Sequence, residues 1–383
     1  MTVEEIQSNE ELRHTEFPVT REGIYLAHAG VCPLPRLVRD AVAGYLDGAT
    51  RVDQEFVLPP GWLRETRELA ARFLGARSEE VAFVGPTSLA LSFVAEGLTF
   101  RKNQNILIYQ GDYPSNVYPW MTLSDRGVEV RFLNIREYGC IRARDVIGQV
   151  DENTRLVALS SCHFLGSYRL DLDEIGRFLR GRGVLFCVDA IQTLGAFPTS
   201  FEFVDFAAAD AHKWLLGPCA AGLMFIRKEI QEQLRPTTHG WHNIRNPNFV
   251  AQDGLEYRND ARRYEAGSHN LLGLAGLRAA LEMLMELGVE SIARDLIRKR
   301  AWVVPALQAK GYQVLNADGN VGSAGPMITF FKPQGLMAEL HGRLAEQRIT
   351  TSLRGDRTGQ QYIRVAPHFY NTDAELRRLL HLL

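Results

Sequence analysis

The apolar positions of this chain change period along its length. Short apolar runs, Glu80–Val84, Asn105–Tyr109, Val128–Phe132, Arg155–Ser160, Val184–Val188, Phe203–Ala209 and Gly222–Ile226, are bounded by Gly, Pro, Asp or Ser and have the length of buried strands. Helical spacing fills the gaps: Trp62, Thr66, Leu69 and Phe73 before a stop at Gly75, then Leu89–Leu98, Ala143–Val150 and Asp171–Arg180. Upstream, Ile24–Gly30 reads as extended, and Pro33 and Pro35 start a helix running to Leu46. Strands alternating with helices from Glu80 to Arg227 predict a parallel-rich sheet covered on both faces. Beyond Arg227 the alternation stops. Residues 236–263 read as a long loop, and Leu274, Leu277, Leu281 and Leu284 mark another helix. From Gly288 the order becomes helix, strand, strand, helix, strand, strand, helix, with helices at Glu290–Leu307, Leu336–Glu346 and Thr372–Leu382, which is an α+β pattern. The expected division is a large domain over 24–275 and a small one over 1–23 and 276–383.

Composition adds bounds to this picture. With 383 residues, 46% hydrophobic and 23% charged, the chain is long enough for two cores at roughly 100–200 residues per domain. A formal net charge of −2 with both signs interspersed offers no field for nucleic acid or membrane headgroups. Met1–Glu11 is acidic without an apolar centre, and no apolar run reaches about 18 residues, so a cytoplasmic location is expected. The five cysteines show no CxxC spacing and are expected to be reduced thiols.

Ligands of parallel sheets gather at strand carboxyl ends. Thr87, Tyr113, His163, Asp189 and Lys213 each follow a predicted strand, so one sheet edge can present all five to one ligand. Lys213 in Ala209–Pro218 is either a solvated turn residue or a reactive amine beside a core. Asp189, ending an apolar run twenty-four residues upstream, weights the second reading. A strand-end Asp and a strand-end Lys are the pair a pyridoxal phosphate enzyme needs: the amine forms a Schiff base with the aldehyde, and the carboxylate keeps the pyridine nitrogen protonated. Several residues keep a plain structural reading. Thr87 and Ser88 suit a helix start, Ser268 an N-cap, Tyr113-Pro114 a surface turn, His28 a loop, His163 a core position and Arg364 a surface strand. The His239-x-x-His242 spacing is too slight for a metal site without a third ligand.

Asp189-x-x-Gln192 and His212-Lys213-Trp214-Leu215-x-Gly217-Pro218 resemble the cofactor motifs of the class V aminotransferases, the fold-type I group that includes cysteine desulfurases, kynureninase-like lyases and isopenicillin N epimerase. The resemblance runs from about Tyr25 to Thr372. It implies the pyridoxal-phosphate-dependent transferase fold type I, with a mostly parallel seven-stranded sheet between helices and a smaller α+β C-terminal domain. It also implies pyridoxal 5′-phosphate as cofactor, with Lys213 as Schiff-base lysine, Asp189 on the ring nitrogen and Tyr113 stacked on the ring. Thr87, Ser88 and His212 match its phosphate ligands, and Gln192 belongs to the same cofactor motif. Ser268 resembles the hydroxyl that a second subunit reaches across a homodimer. Arg364 resembles the clamp on a substrate carboxylate, and His28 lies on a segment that enters near the substrate. His163 stands where desulfurases place Asn, as a donor to cofactor or substrate. Asp210 replaces a small hydroxyl residue; a carboxylate there repels phosphate, so it points elsewhere, as an acceptor for a nearby His, or binds through water.

Desulfurases need a nucleophilic cysteine before the arginine segment, and residues 350–361 have none. The expectation is therefore an enzyme acting on a small amino acid through a Cα carbanion, of aminotransferase or epimerase type. A C–S lyase releasing its product without a loop cysteine is the alternative.

Overall fold

The computed structural model describes residues 1–383. Seven strands form one sheet in the order Val81–Val84, Gly222–Ile226, Phe206–Ala209, Leu185–Asp189, Thr154–Ser160, Asn105–Ile108, Glu129–Phe132. All run the same way except Gly222–Ile226, which is antiparallel to both its neighbours. The sheet is therefore mostly parallel, as the alternation predicts.

Alternate residues of the central strands enter different cores. Val157, Leu159, Phe186, Val188, Ala207 and Ala209 join one apolar cluster, while Leu156, Ala158, Leu185, Cys187, Phe206 and Ala208 join another. Near-continuous apolar runs are what a sheet buried on both faces requires. Fully burying one such Leu or Phe contributes roughly 1.5–3 kcal/mol, so the central strands are rigid supports for whatever follows them.

A second, four-stranded antiparallel sheet has the order Ser352–Gly355, Gln361–Val365, Ile328–Phe331, Gln313–Val314. Its core gathers Val303, Leu307, Phe330, Leu340, Ile363 and Leu379 around the helices Val289–Ala309, Met337–Glu346 and Asp373–His381. Ile24–Tyr25 pairs in parallel with Ile349–Thr350, and Ile24 and Leu26 are buried in this core. The chain just after residue 23 therefore packs with the C-terminal sheet. Helix Leu271–Leu287 passes unbroken through position 275 and packs on helix Arg36–Ala49.

Three local features differ from expectation. Helix Thr87–Gly97 begins two residues before Leu89, behind Pro86, without a side-chain cap. Residues 236–263 contain a short turn, Pro247–Phe249, and an Ile244–Tyr257 bridge rather than plain loop. Near the start, helices Val3–Ser8 and Glu10–Glu16 are capped by Thr2 and Asn9, and Ile6 and Phe17 enter the first core. No helix is long and apolar enough to cross a membrane.

Candidate active site

Because the parallel strands share a direction, the segments after Val84, Ile108, Ser160, Asp189 and Ala209 leave the sheet at one edge. Asp210 organises the last of them. Its carboxylate accepts hydrogen bonds from the N–H groups of Ala211 at 2.8 Å, Ala220 at 3.0 Å and Ala221 at 3.1 Å, and meets His212 Nδ1 at 2.8 Å. The loop carrying Lys213 is thereby closed on itself, although Leu216 and Ala220 take the left-handed conformation within it. The Asp210 N–H donates to Thr87 Oγ1 at 2.9 Å, tying this loop to the helix start. Gly222 completes the approach: a Cβ there would lie 2.3 Å from the Gly85 carbonyl oxygen, so only glycine lets the two turns meet.

A cavity of about 300 Å³ opens at this edge. Thr87, Ser88, Tyr113, Asp189, Gln192, His212, Lys213 and Arg364, all expected from the sequence, line it. Lys213 is 7% exposed and Asp189 2%. Burial pushes the Lys213 amine down to about 8 against the opposing pull of Asp189, and burial pushes the Asp189 carboxyl up to about 6. Asp189 also accepts the Ile191 N–H at 3.0 Å. The Lys213 Nζ sits 5.3 Å from the centre of the Tyr113 ring. Asp112 fixes the Tyr113 turn by accepting from the Tyr113 N–H at 2.7 Å and from Ser160 Oγ at 2.7 Å. Gln192 is held from both ends, donating to the Ala29 carbonyl at 3.2 Å and accepting from Trp214 Nε1 at 2.9 Å. Ser88 Oγ donates to Ser115 Oγ at 2.8 Å.

Arg364 is different. The residue is 2% exposed, and its guanidinium donates once, from Nη1 to the Phe164 carbonyl at 2.8 Å, while Nε and Nη2 are buried without any partner. Burial, and next the nearby charge of Arg354, push it down to about 9. Buried donors without acceptors are rare and costly, which marks a place where an anion is expected.

Four expected residues are not in this cavity. His163 accepts the Gly166 N–H on Nδ1 at 2.8 Å and meets the Gly111 carbonyl through Nε2 at 2.9 Å, so neither ring nitrogen is free for a ligand. His28 is likewise saturated, by the Ala366 carbonyl at 2.7 Å and Tyr370 Oη at 2.6 Å, and its complete burial pushes it down to about 4. Both rings are buried and held by groups of the protein itself, outside the cavity that Lys213 and Arg364 line. Asp210 faces its own loop and His212, the acceptor alternative among those weighed. Ser268 lies in a separate cavity with Phe83 and Gly85. Of the two spaced histidines, His242 approaches Glu265 and His269, but Arg67 Nη2 already holds that carboxylate at 2.9 Å. Sequence reasoning missed Gly30, Ser115 and Arg354, which also line the cavity.

Three kinds of known protein are similar to this chain. The family model described as "Aminotransferase class-V" matches residues 24–379. A protein of Methanothermobacter thermautotrophicus named "Probable cysteine desulfurase" is 32% identical over 287 residues, covering 73% of this chain and 71% of that one. One of Bacillus subtilis named "Uncharacterized aminotransferase YcbU" is 27% identical over 368 residues, covering 95% and 94%. Among solved structures, an apo cysteine desulfurase from Thermococcus onnurineus superposes with a TM-score of 0.87 at 23% identity, covering 96% of each chain.

Proposed function

Because the chain belongs to the class-V aminotransferase family of pyridoxal 5′-phosphate-dependent enzymes, we propose that it acts at the α-carbon of a small amino acid, as an aminotransferase or an epimerase. One observation carries this reading: the two unpartnered buried donors of Arg364 share a cavity with the Lys213–Asp189 pair.

The residues present fit the cofactor. The first turn of helix Thr87–Gly97 has N–H groups with no acceptor inside the helix, and with the Thr87 hydroxyl and the hydrogen-bonded Ser88–Ser115 hydroxyl pair it offers a phosphate several donors. His212, tied through Nδ1 to Asp210, leaves Nε2 for the same phosphate. Asp189, buried and pushed up to about 6, would hold the ring nitrogen of the cofactor, whose positive charge would favour the ionised carboxylate. When bound, the cofactor supplies an electron-withdrawing ring that spreads the charge developing at the substrate α-carbon.

The chain's own groups then divide the work. Lys213, pushed down to about 8, exchanges its proton near neutral pH and serves as the base that removes and returns the α-proton. Arg364 closes a two-toothed clamp on the substrate carboxylate, which orients the α-hydrogen toward the amine. Tyr113 covers one side of the cavity against water. The enzyme works in the cytoplasm as a homodimer, in which the partner's Ser268 completes the phosphate site. The position of Ser268 outside its own protomer's Lys213 cavity and the free state of all five cysteines support this.

A C–S lyase is the second reading, favoured by the 32% identity to a probable cysteine desulfurase. The hairpin between Gly355 and Gln361 carries no cysteine, so such a lyase releases its product directly. Incubating the holoenzyme with a panel of L-amino acids and assaying keto acid, D-enantiomer, pyruvate and sulfide separates the two. Keto acid or D-enantiomer is the expected product; rapid sulfide release from L-cysteine overturns the ranking.

A further inference from the structure

The proposed function uses one guanidinium at the substrate end of the cavity, and the structure supplies two. Ser352 lies opposite Arg364 in the antiparallel ladder, and Arg354, two residues along the same strand, faces the same side of the sheet. A Cβ built on Gly30 would stand 3.6 Å from Arg354 Nη2 and 3.9 Å from Arg364 Nη2, so the two heads converge on one point of the cavity wall. Neither is paired with a carboxylate. Arg354 donates only to the Leu353 carbonyl at 3.1 Å, and Arg364 keeps Nε and Nη2 free. Among the residues lining the cavity the only acid is Asp189, on a different sheet from the two arginines. Two like charges in a shared pocket repel, and a single carboxylate on Arg364 leaves Arg354 with its charge uncompensated.

We propose that Arg354 receives a second anionic group at the end of the substrate side chain, so that the substrate is an amino acid whose side chain ends in a carboxylate or a sulfinate. This rests on the proposed function in one respect, that Arg364 takes the α-carboxylate. Arg354 is then the residue that sets specificity, rewarding an acidic side chain and leaving a neutral one without a partner.

The test uses the holoenzyme and two probes of equal length, succinate and butyrate, with binding read by calorimetry. The wild type is expected to bind succinate at least about tenfold more tightly, the worth of one charge-assisted pair. Arg354→Gln removes that preference with butyrate affinity unchanged, and Arg354→Lys restores part of it. In turnover, Arg354→Gln lowers kcat/KM for L-aspartate, L-glutamate or L-cysteine sulfinate by about ten- to a hundredfold, with L-alanine within about twofold. Equal affinities for the two probes in the wild type overturn the proposal. So does an equal loss for both in Arg354→Gln, which assigns both arginines to one carboxylate. So does loss of cofactor absorbance alone, which assigns Arg354 to the phosphate. A succinate preference that vanishes in Arg354→Gln while no amino acid is turned over sinks the proposed function and leaves this assignment standing.

Discussion

At the sheet end of the cavity Thr87, Ser88, Gln192 and His212 are already tied to other groups of the protein, whereas at the small-sheet end Arg364 holds two buried donors that nothing satisfies. The tied groups are arranged before any ligand arrives, so a molecule bound there loses little to reorganisation. The untied guanidinium is an energetic debt in the free protein that an anion cancels. A resident cofactor suits the first kind of wall, and a substrate that enters and leaves each turnover suits the second.

Removing Lys213 should have the largest effect. Lys213→Ala is expected to lower turnover by about 10³- to 10⁴-fold and to abolish the visible absorption of the bound cofactor, because the base and the covalent tether are one group. Arg364→Leu should cost about 10²- to 10³-fold in kcat/KM while cofactor absorbance is kept; loss of the cofactor instead would erase the distinction between the two ends. Asp210→Ala should lower the stability of the folded protein by about 2–4 kcal/mol in denaturant titration, since three N–H groups and His212 lose their acceptor. An unchanged unfolding midpoint would mean that the sheet end is not preassembled.

The pH dependence sharpens the same contrast. Burial lowers the Lys213 ammonium to about 8, so the neutral amine is the minor form below that pH and dominates above it. Covalent capture of pyridoxal phosphate by the apoprotein, followed by absorbance, should rise about tenfold per pH unit up to about pH 8 and then level off. A rise that continues to about 10 would place the amine in water. Smallest of all, His163→Gln should change kcat/KM by no more than about twofold while lowering stability by about 1–2 kcal/mol, because its nitrogens serve Gly111 and Gly166.

The sheet and the residues that leave its edge were legible because apolar runs and their bounding Gly, Pro and Asp fix where each strand ends. The place of Thr87, Tyr113, Asp189 and Lys213 just past strand ends follows from those bounds, as does that of His163, which lies outside the cavity, while their expected roles come from the family resemblance. What separates a ligand histidine from a core one is not local. His28 is saturated by Ala366 and Tyr370, and His163 by Gly111, groups far along the chain that only the folded backbone brings near. Arg354 was missed for a related reason: its place beside Arg364 comes from the register of a hairpin, and a one-residue slip would have turned it to the other face. The role of Asp210 was open in the sequence because the N–H groups of Ala220 and Ala221 reach it only once the Lys213 loop has closed.

The parallel pairing of Ile24–Tyr25 with Ile349–Thr350 has a consequence for biosynthesis. On the ribosome the seven-stranded sheet has all its strands once residue 226 has emerged, while Ile24 and Leu26 still lack the strand and core that will cover them. That early segment waits, exposed, until almost the whole polypeptide is made, and chaperone occupancy on nascent chains should be highest over that interval.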